Sequence, residues 1–120
     1  MIVFEIKPLG KPRMTQRDRW AKRPCVNRYY AYKDHLTLLA NKEQYTVPDK
    51  LSLTFIIPMP KSWSKKKKAL MNYKPHKQKP DLDNLVKAFQ DVLCKEDSYV
   101  YSYKNITKIW GEVGKIIVND

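Results

Sequence analysis

Glycine is nearly absent from this sequence, with 3 in 120 residues and no Gly/Ser tract. That leaves no long flexible linker, and 120 residues supply the core of one domain rather than two. Cysteine is as scarce. Cys25 and Cys94 stand far apart, outside any Cys-x-x-Cys pair, and read as two reduced, intracellular thiols. Together with His35 and His76 they make no zinc site at finger-like spacing. No apolar run approaches the 18 residues of a membrane span, and no basic amphipathic helix shows a clean apolar face. The opening "MIVFEIKPLG" lacks a signal-peptide layout, and no internal repeat is present. The expectation is a single domain over residues 1–120, cytoplasmic, with no membrane partner.

Acid is the other shortage. Against 24 Lys+Arg there are 12 Asp+Glu, giving a formal net charge of +12 and a pI near 9.7. Such a balance attracts polyanions, chiefly nucleic acid. The bases are clustered. Between Lys7 and Lys33 there are nine basic residues and one acid, Asp18, in a stretch broken by Pro8, Gly10, Pro12 and Pro24 and expected to be a long loop. From Lys50 to Pro80 there are nine lysines and no acid. A solvated face accounts for the run Lys65–Lys68 taken alone. Joined to Trp20, Trp63 and Tyr73, the basic stretches point to DNA contact through Lys11, Arg13, Arg17, Arg19, Lys65, Lys66, Lys67, Lys68, Lys77 and Lys79. Such phosphate contacts give affinity without reading sequence.

Periodicity places the elements. Ile2–Ile6 reads as a strand. Tyr29, Tyr32, Leu36, Leu39 and Ala40 predict a helix over about 28–42. "LSLTFIIP", 51–58, is an apolar core strand, and Lys65–Ala69 is a candidate short helix. Leu82, Leu85, Val86, Phe89, Val92 and Leu93 mark the clearest helix in the chain. A strand over about 100–110 follows, then "GEVG" turns into a last strand, Lys115–Val118. The order β-α-β-α-β-β predicts an α/β domain with a small mixed sheet packed by helices.

Within this basic field lies a pocket of acid. Asp81, Asp83, Asp91, Glu96 and Asp97 are five of the 12 acids and fall within 17 residues. Carboxylates facing DNA repel it unless a cation bridges them. A nuclease has a reason to gather them, because they hold Mg²⁺ against the phosphate. Hard oxygen ligands select Mg²⁺ or Mn²⁺ over zinc. Pro80 favours an extended entry with a helix soon after. Asp81 then sits at the helix entry, Asp83 in its first turn, and Lys87 at i+4 from Asp83 on a face away from the apolar stripe. The same spacing fits plainer roles. Asp81 or Asp83 could be an N-cap, Asp83–Lys87 an exposed ion pair, and Glu96–Asp97 turn residues. His76, just before the cluster, reads as a loop histidine. From spacing alone the plainer roles stay ahead, and a basic nucleic-acid-binding module without enzymatic activity is the alternative.

The segment "KPDLDNLVKAFQDVL" resembles the signature of the RusA-type Holliday junction resolvases, an Asp-x-Asp-Asn-Leu-x-Lys pattern with a later Asp. Asp81, Asp83, Asn84, Leu85 and Lys87 match it, and Asp97 in "EDSYV" matches the later aspartate, with Glu96 as its neighbouring alternative. "KPLGKPRMTQRDRW", "IPMPKSWSKKKKAL" and the "PH" before the signature are similar to phage and prophage members, so the resemblance covers nearly the whole chain. It implies a homodimeric α/β endonuclease of the bacterial host cell's cytoplasm that binds branched DNA, chiefly four-way junctions, and makes paired nicks with Mg²⁺ or Mn²⁺. By the match, Asp81, Asp83 and Asp97 bind metal and Lys87 serves catalysis. Asp91, roughly 80° around the helix from Asp83, supports the site or the helix. A junction with two-fold symmetry needs two cuts, which a two-fold dimer supplies.

Overall fold

Strand β2, Lys50–Pro58, is buried along nearly its whole length. Leu51, Leu53 and Phe55 are fully enclosed on its inner side, and Ser52 and Ile56 are buried on the other. A strand so enclosed needs neighbours on both edges. The computed structural model describes residues 1–12 and 23–119 and shows a four-stranded mixed sheet in the order β1-β4-β2-β3. β1 is Ile2–Phe4, β3 is Ser102–Gly111 and β4 is Lys115–Val118. β4 runs antiparallel to both β1 and β2, and β3 runs parallel to β2 along the edge of the sheet.

Parallel neighbours cannot be joined by a hairpin. The β2–β3 connection therefore carries two helices, α2 (Lys65–Met71) and α3 (Leu82–Leu93). The short link between β3 and β4 passes the end of β2 instead of closing a hairpin. It needs Gly111, where a Cβ would lie 2.2 Å from Ile56 Cγ2. Helix α1, Pro24–Lys42, lays Val26, Tyr29, Tyr32, Leu36 and Ala40 inward. α3 contributes Leu85, Val86, Ala88 and Phe89, and Phe89 meets Phe4 at 6.5 Å between ring centroids.

The α/β class and the mixed sheet agree with the sequence reading; the edges of the elements differ. Pro24, read as a breaker, is the first residue of α1, where its missing N–H costs nothing and its fixed φ suits a helix. The basic stretch is thus helical from residue 24 onward. β1 stops at Phe4 because the Ile6 N–H turns back to donate to the Phe4 carbonyl at 2.8 Å. The lysine helix extends to Met71, and β3 is shifted to Ser102–Gly111. A 3-10 turn at Asp97–Tyr99 had no signal in the periodicity. Among the described residues no helix is long and apolar enough to cross a membrane.

Candidate active site

The acidic cluster is placed by the outer edge of β3. Residues 73–76 run along the later part of that strand. The Tyr73 N–H donates to the Trp110 carbonyl (2.9 Å), the Trp110 N–H to Lys74 (3.0 Å) and the His76 N–H to Lys108 (3.1 Å). Tyr73 takes φ 64 to make the turn. His76 is a loop histidine, as expected, but a buried one. Its ring packs 4.2 Å from Trp110, which also packs against Trp63 at 4.8 Å. Burial, reinforced by the nearby Lys108 ammonium, holds the His76 pKa below the ordinary imidazole value. Lys108 then reaches past it, its Nζ donating to the carbonyls of Gln78 (2.5 Å) and Pro80 (2.7 Å). The segment delivering Asp81 is therefore fastened to the sheet from residue 73 to residue 80.

Asp81 occupies the N-cap of α3 in an extended conformation, φ −67 and ψ 146, yet its side chain makes no capping hydrogen bond. Asp83 lies in the first turn and Lys87 one turn on, both exposed. Among the described residues no ion pair joins them; the ion pairs there are Lys11–Asp91 and Lys115–Glu5. Two adjacent ridges of α3, Leu82–Val86–Gln90 and Asp83–Lys87–Asp91, form one wall of a cavity of about 590 Å³, and Tyr103 and Ile106 of β3 line it too. Gln90 is buried and accepts the Tyr103 hydroxyl at 2.5 Å.

The chain leading into the N-terminal basic stretch lies against this helix. A Cβ at Gly10 would stand 3.1 Å from Pro80 Cβ, so glycine permits the close approach. The Lys11 N–H donates to the Asn84 carbonyl at 3.4 Å, and the Lys11 ammonium is bonded to Asp91. Tyr29 of α1 faces the same pair. Burial pushes its hydroxyl pKa up, with Lys11 opposing and Asp91 adding.

The other residues singled out from sequence fall as follows. Arg13, Arg17, Arg19 and Trp20 lie outside the described residues. Asp97 opens the 3-10 turn after α3, and its side chain lies outside them too. Glu96 is exposed, and its carbonyl accepts from Cys94 Sγ (3.0 Å) and the Tyr99 N–H (3.1 Å). α2 buries no residue, so Lys65–Lys68 project from a helix capped by Ser64 (3.1 Å), with the Lys67 ammonium 4.2 Å from the Trp63 ring. Lys77 and Lys79 are exposed beside the site.

A family model described as Endodeoxyribonuclease RusA matches residues 5–119. The chain belongs to the RusA family of endodeoxyribonucleases. No curated protein matches it. The resemblance read from "KPDLDNLVKAFQDVL" thus holds at the level of the family, and the matched span takes in three of the four strands, β2 to β4, and the whole α3 cavity. For a RusA-family chain the surplus of Lys and Arg has its polyanion, DNA.

No three His, Cys, Asp or Glu side chains converge as a ready metal cage among the described residues. Asp81 and Asp83 nevertheless suit a hard cation. They lie two residues apart in sequence, one at the helix entry and one in its first turn; the Asp81 side chain makes no cap bond, and neither forms an ion pair among the described residues. Oxygen ligands of this kind fit Mg²⁺ or Mn²⁺.

Three residues that line the α3 cavity or fasten the loop before it escaped the sequence reading. Gln90 continues the apolar ridge of Leu82 and Val86 at spacing 4, and a polar residue in such a row was its signal. Lys108 shares the inward phase of β3 with Ile106 and Trp110, where a lysine must find partners. Tyr103 carried no signal beyond its strand alternation.

Proposed function

We propose that this chain is a divalent-metal-dependent endonuclease that resolves four-way DNA junctions by paired nicks, acting as a two-fold dimer in the cytoplasm. The observation that carries the reading is the pair of unengaged carboxylates, Asp81 and Asp83, with Lys87 one turn further, in a RusA-family chain of net charge +12. Asp81 and Asp83 hold the cation, with Asp97 as the third carboxylate implied by the family signature. A bound Mg²⁺ or Mn²⁺ supplies a Lewis acid and a water of lowered pKa at the scissile phosphate. Lys87 offers a fixed positive charge for the phosphate oxygens as their charge grows in the transition state. Lys65–Lys68, Lys77 and Lys79 draw the DNA backbone in. Without a cation the two aspartates repel that backbone, so the basic surface binds and the acidic end of α3 gates the chemistry. The cut leaves 5′-phosphate and 3′-hydroxyl ends.

The test is a synthetic four-way junction beside a linear duplex of the same arm sequence, each incubated in Mg²⁺ and in EDTA. Paired nicks in the junction alone, only with metal, are expected. Cutting in EDTA, or equal cutting of the linear duplex, overturns the reading. A purely DNA-binding module predicts binding with no nick under any metal. That alternative reads its basic loops as the function and the aspartates as helix caps; Asp81, which holds the N-cap position, makes no side-chain cap bond.

A further inference from the structure

Three tyrosines that this mechanism does not use, Tyr99, Tyr101 and Tyr103, are 57%, 66% and 57% exposed around the start of β3. β3 is the edge of the sheet, and the segment around Pro75 pairs only with its later part, at Ile109. The earlier part, beside the α3 cavity, stays open among the described residues. Tyr103 lines that cavity together with Asp83 and Lys87. Its hydroxyl is tied to Gln90 while its ring remains accessible. A buried glutamine is costly unless bonded; here its bond fixes an aromatic ring in place.

Tyr101 extends the strand pairing by one residue, its N–H donating to the Asp49 carbonyl at 3.0 Å. Side chains two residues apart on extended chain share a side and stand about 6.7 Å apart. That is about twice the 3.4 Å rise of stacked bases. Tyr101 and Tyr103 line, with Val100 and Ser102, an opening of about 170 Å³. The Lys50 ammonium lies 5.9 Å from the Tyr101 ring centroid.

We infer that Tyr101 and Tyr103 form a slot for one unstacked nucleobase of the DNA held at the Asp83–Lys87 cavity. This rests on the proposed DNA-cutting function and deepens it. Lysine–phosphate contacts do not separate a junction from a duplex, because both present the same backbone. An aromatic slot does, because only a branch point offers a base already partly freed from its stack, and every base has a π-face to stack. Tyr103 is thus placed to turn branch structure into position at the catalytic cavity.

The experiment uses the full chain with a junction carrying 2-aminopurine at each position flanking the branch. Ca²⁺ replaces Mg²⁺, since it takes oxygen ligands without the strict octahedral geometry of Mg²⁺. The wild type is expected to quench the probe at one position. Tyr101→Leu and Tyr103→Leu should abolish the quench and weaken junction binding about tenfold, with linear-duplex binding unchanged. Tyr103→Phe should retain most of the quench. Cutting of an unlabelled junction by the wild type in Mg²⁺ reads the proposed function separately. A wild type that cuts, with a quench unaffected by either leucine variant, overturns the slot alone. So does a leucine variant that changes the chain's own oligomeric state and leaves the quench intact, which would assign these tyrosines to a protein contact.

Discussion

Asp83 and Asp91 stand two turns apart on α3 and line the same cavity, yet their surroundings are opposite. Asp91 is half-buried and bonded to the Lys11 ammonium, which arrives from a segment 80 residues away in sequence. Asp83 is exposed and no cation neutralises it among the described residues. A carboxylate already paired must surrender its partner before it can bind a metal; an unpaired one need only lose water. One helix therefore carries a carboxylate that holds the fold together and another that is free for chemistry. The difference comes from what the rest of the chain brings alongside, since both residues are aspartates of the same helix.

The comparison breaks hardest at Asp83. Asp83→Asn is expected to lower the cutting rate about 1,000-fold if it holds the cation as proposed, since a metal ligand supplies several kcal/mol of transition-state stabilisation. Junction binding, measured by gel shift, should be retained or slightly tightened because a repulsive charge has gone. Lys87→Met, on the same ridge, should lower kcat about 100-fold with little change in KM, the pattern of a group that acts only on developing charge. Steady-state cutting of a labelled junction separates the two parameters.

At Asp91 the cost should fall on stability instead. Asp91→Asn removes the carboxylate bonded to the partly enclosed Lys11 ammonium, a loss of about 1–3 kcal/mol in urea unfolding, while cutting drops less than about tenfold. The exchanged pair Lys11→Asp with Asp91→Lys should recover much of that stability. The smallest effect is sought at His76, in the segment that delivers Asp81. Its folded pKa lies below its unfolded one. The unfolded chain therefore takes up the proton first as pH falls, and stability declines below about pH 6.5, the ordinary imidazole value. Above that value both states are neutral and the term vanishes. His76→Gln should flatten this limb in a series of urea melts across pH.

The two aspartates also mark how far the sequence could be read. α3 was legible because Leu82, Leu85, Val86 and Phe89 repeat with the helical period, a local pattern that packing later obeyed. Asp81 and Asp83 were read as a site only through the family resemblance, since from spacing alone the plainer roles stay ahead. The Lys11–Asp91 bond was not legible, because nothing local links residues so far apart. Lys108 was hidden for the same reason: its role is to reach the carbonyls of Gln78 and Pro80, contacts that exist only once β3 lies beside that loop. Pro24 was misplaced because proline ends one element and starts another with equal ease, and the residues after it decide which.

The most direct measurement assays Asp83→Asn and Asp91→Asn side by side, on one four-way junction in Mg²⁺, with binding and cutting recorded on the same samples. The account predicts that Asp83→Asn binds the junction without cutting it, while Asp91→Asn, still folded at the assay temperature, cuts at a rate within about tenfold of the wild type. Wild-type cutting by Asp83→Asn would contradict it, as would a folded Asp91→Asn as inactive as Asp83→Asn.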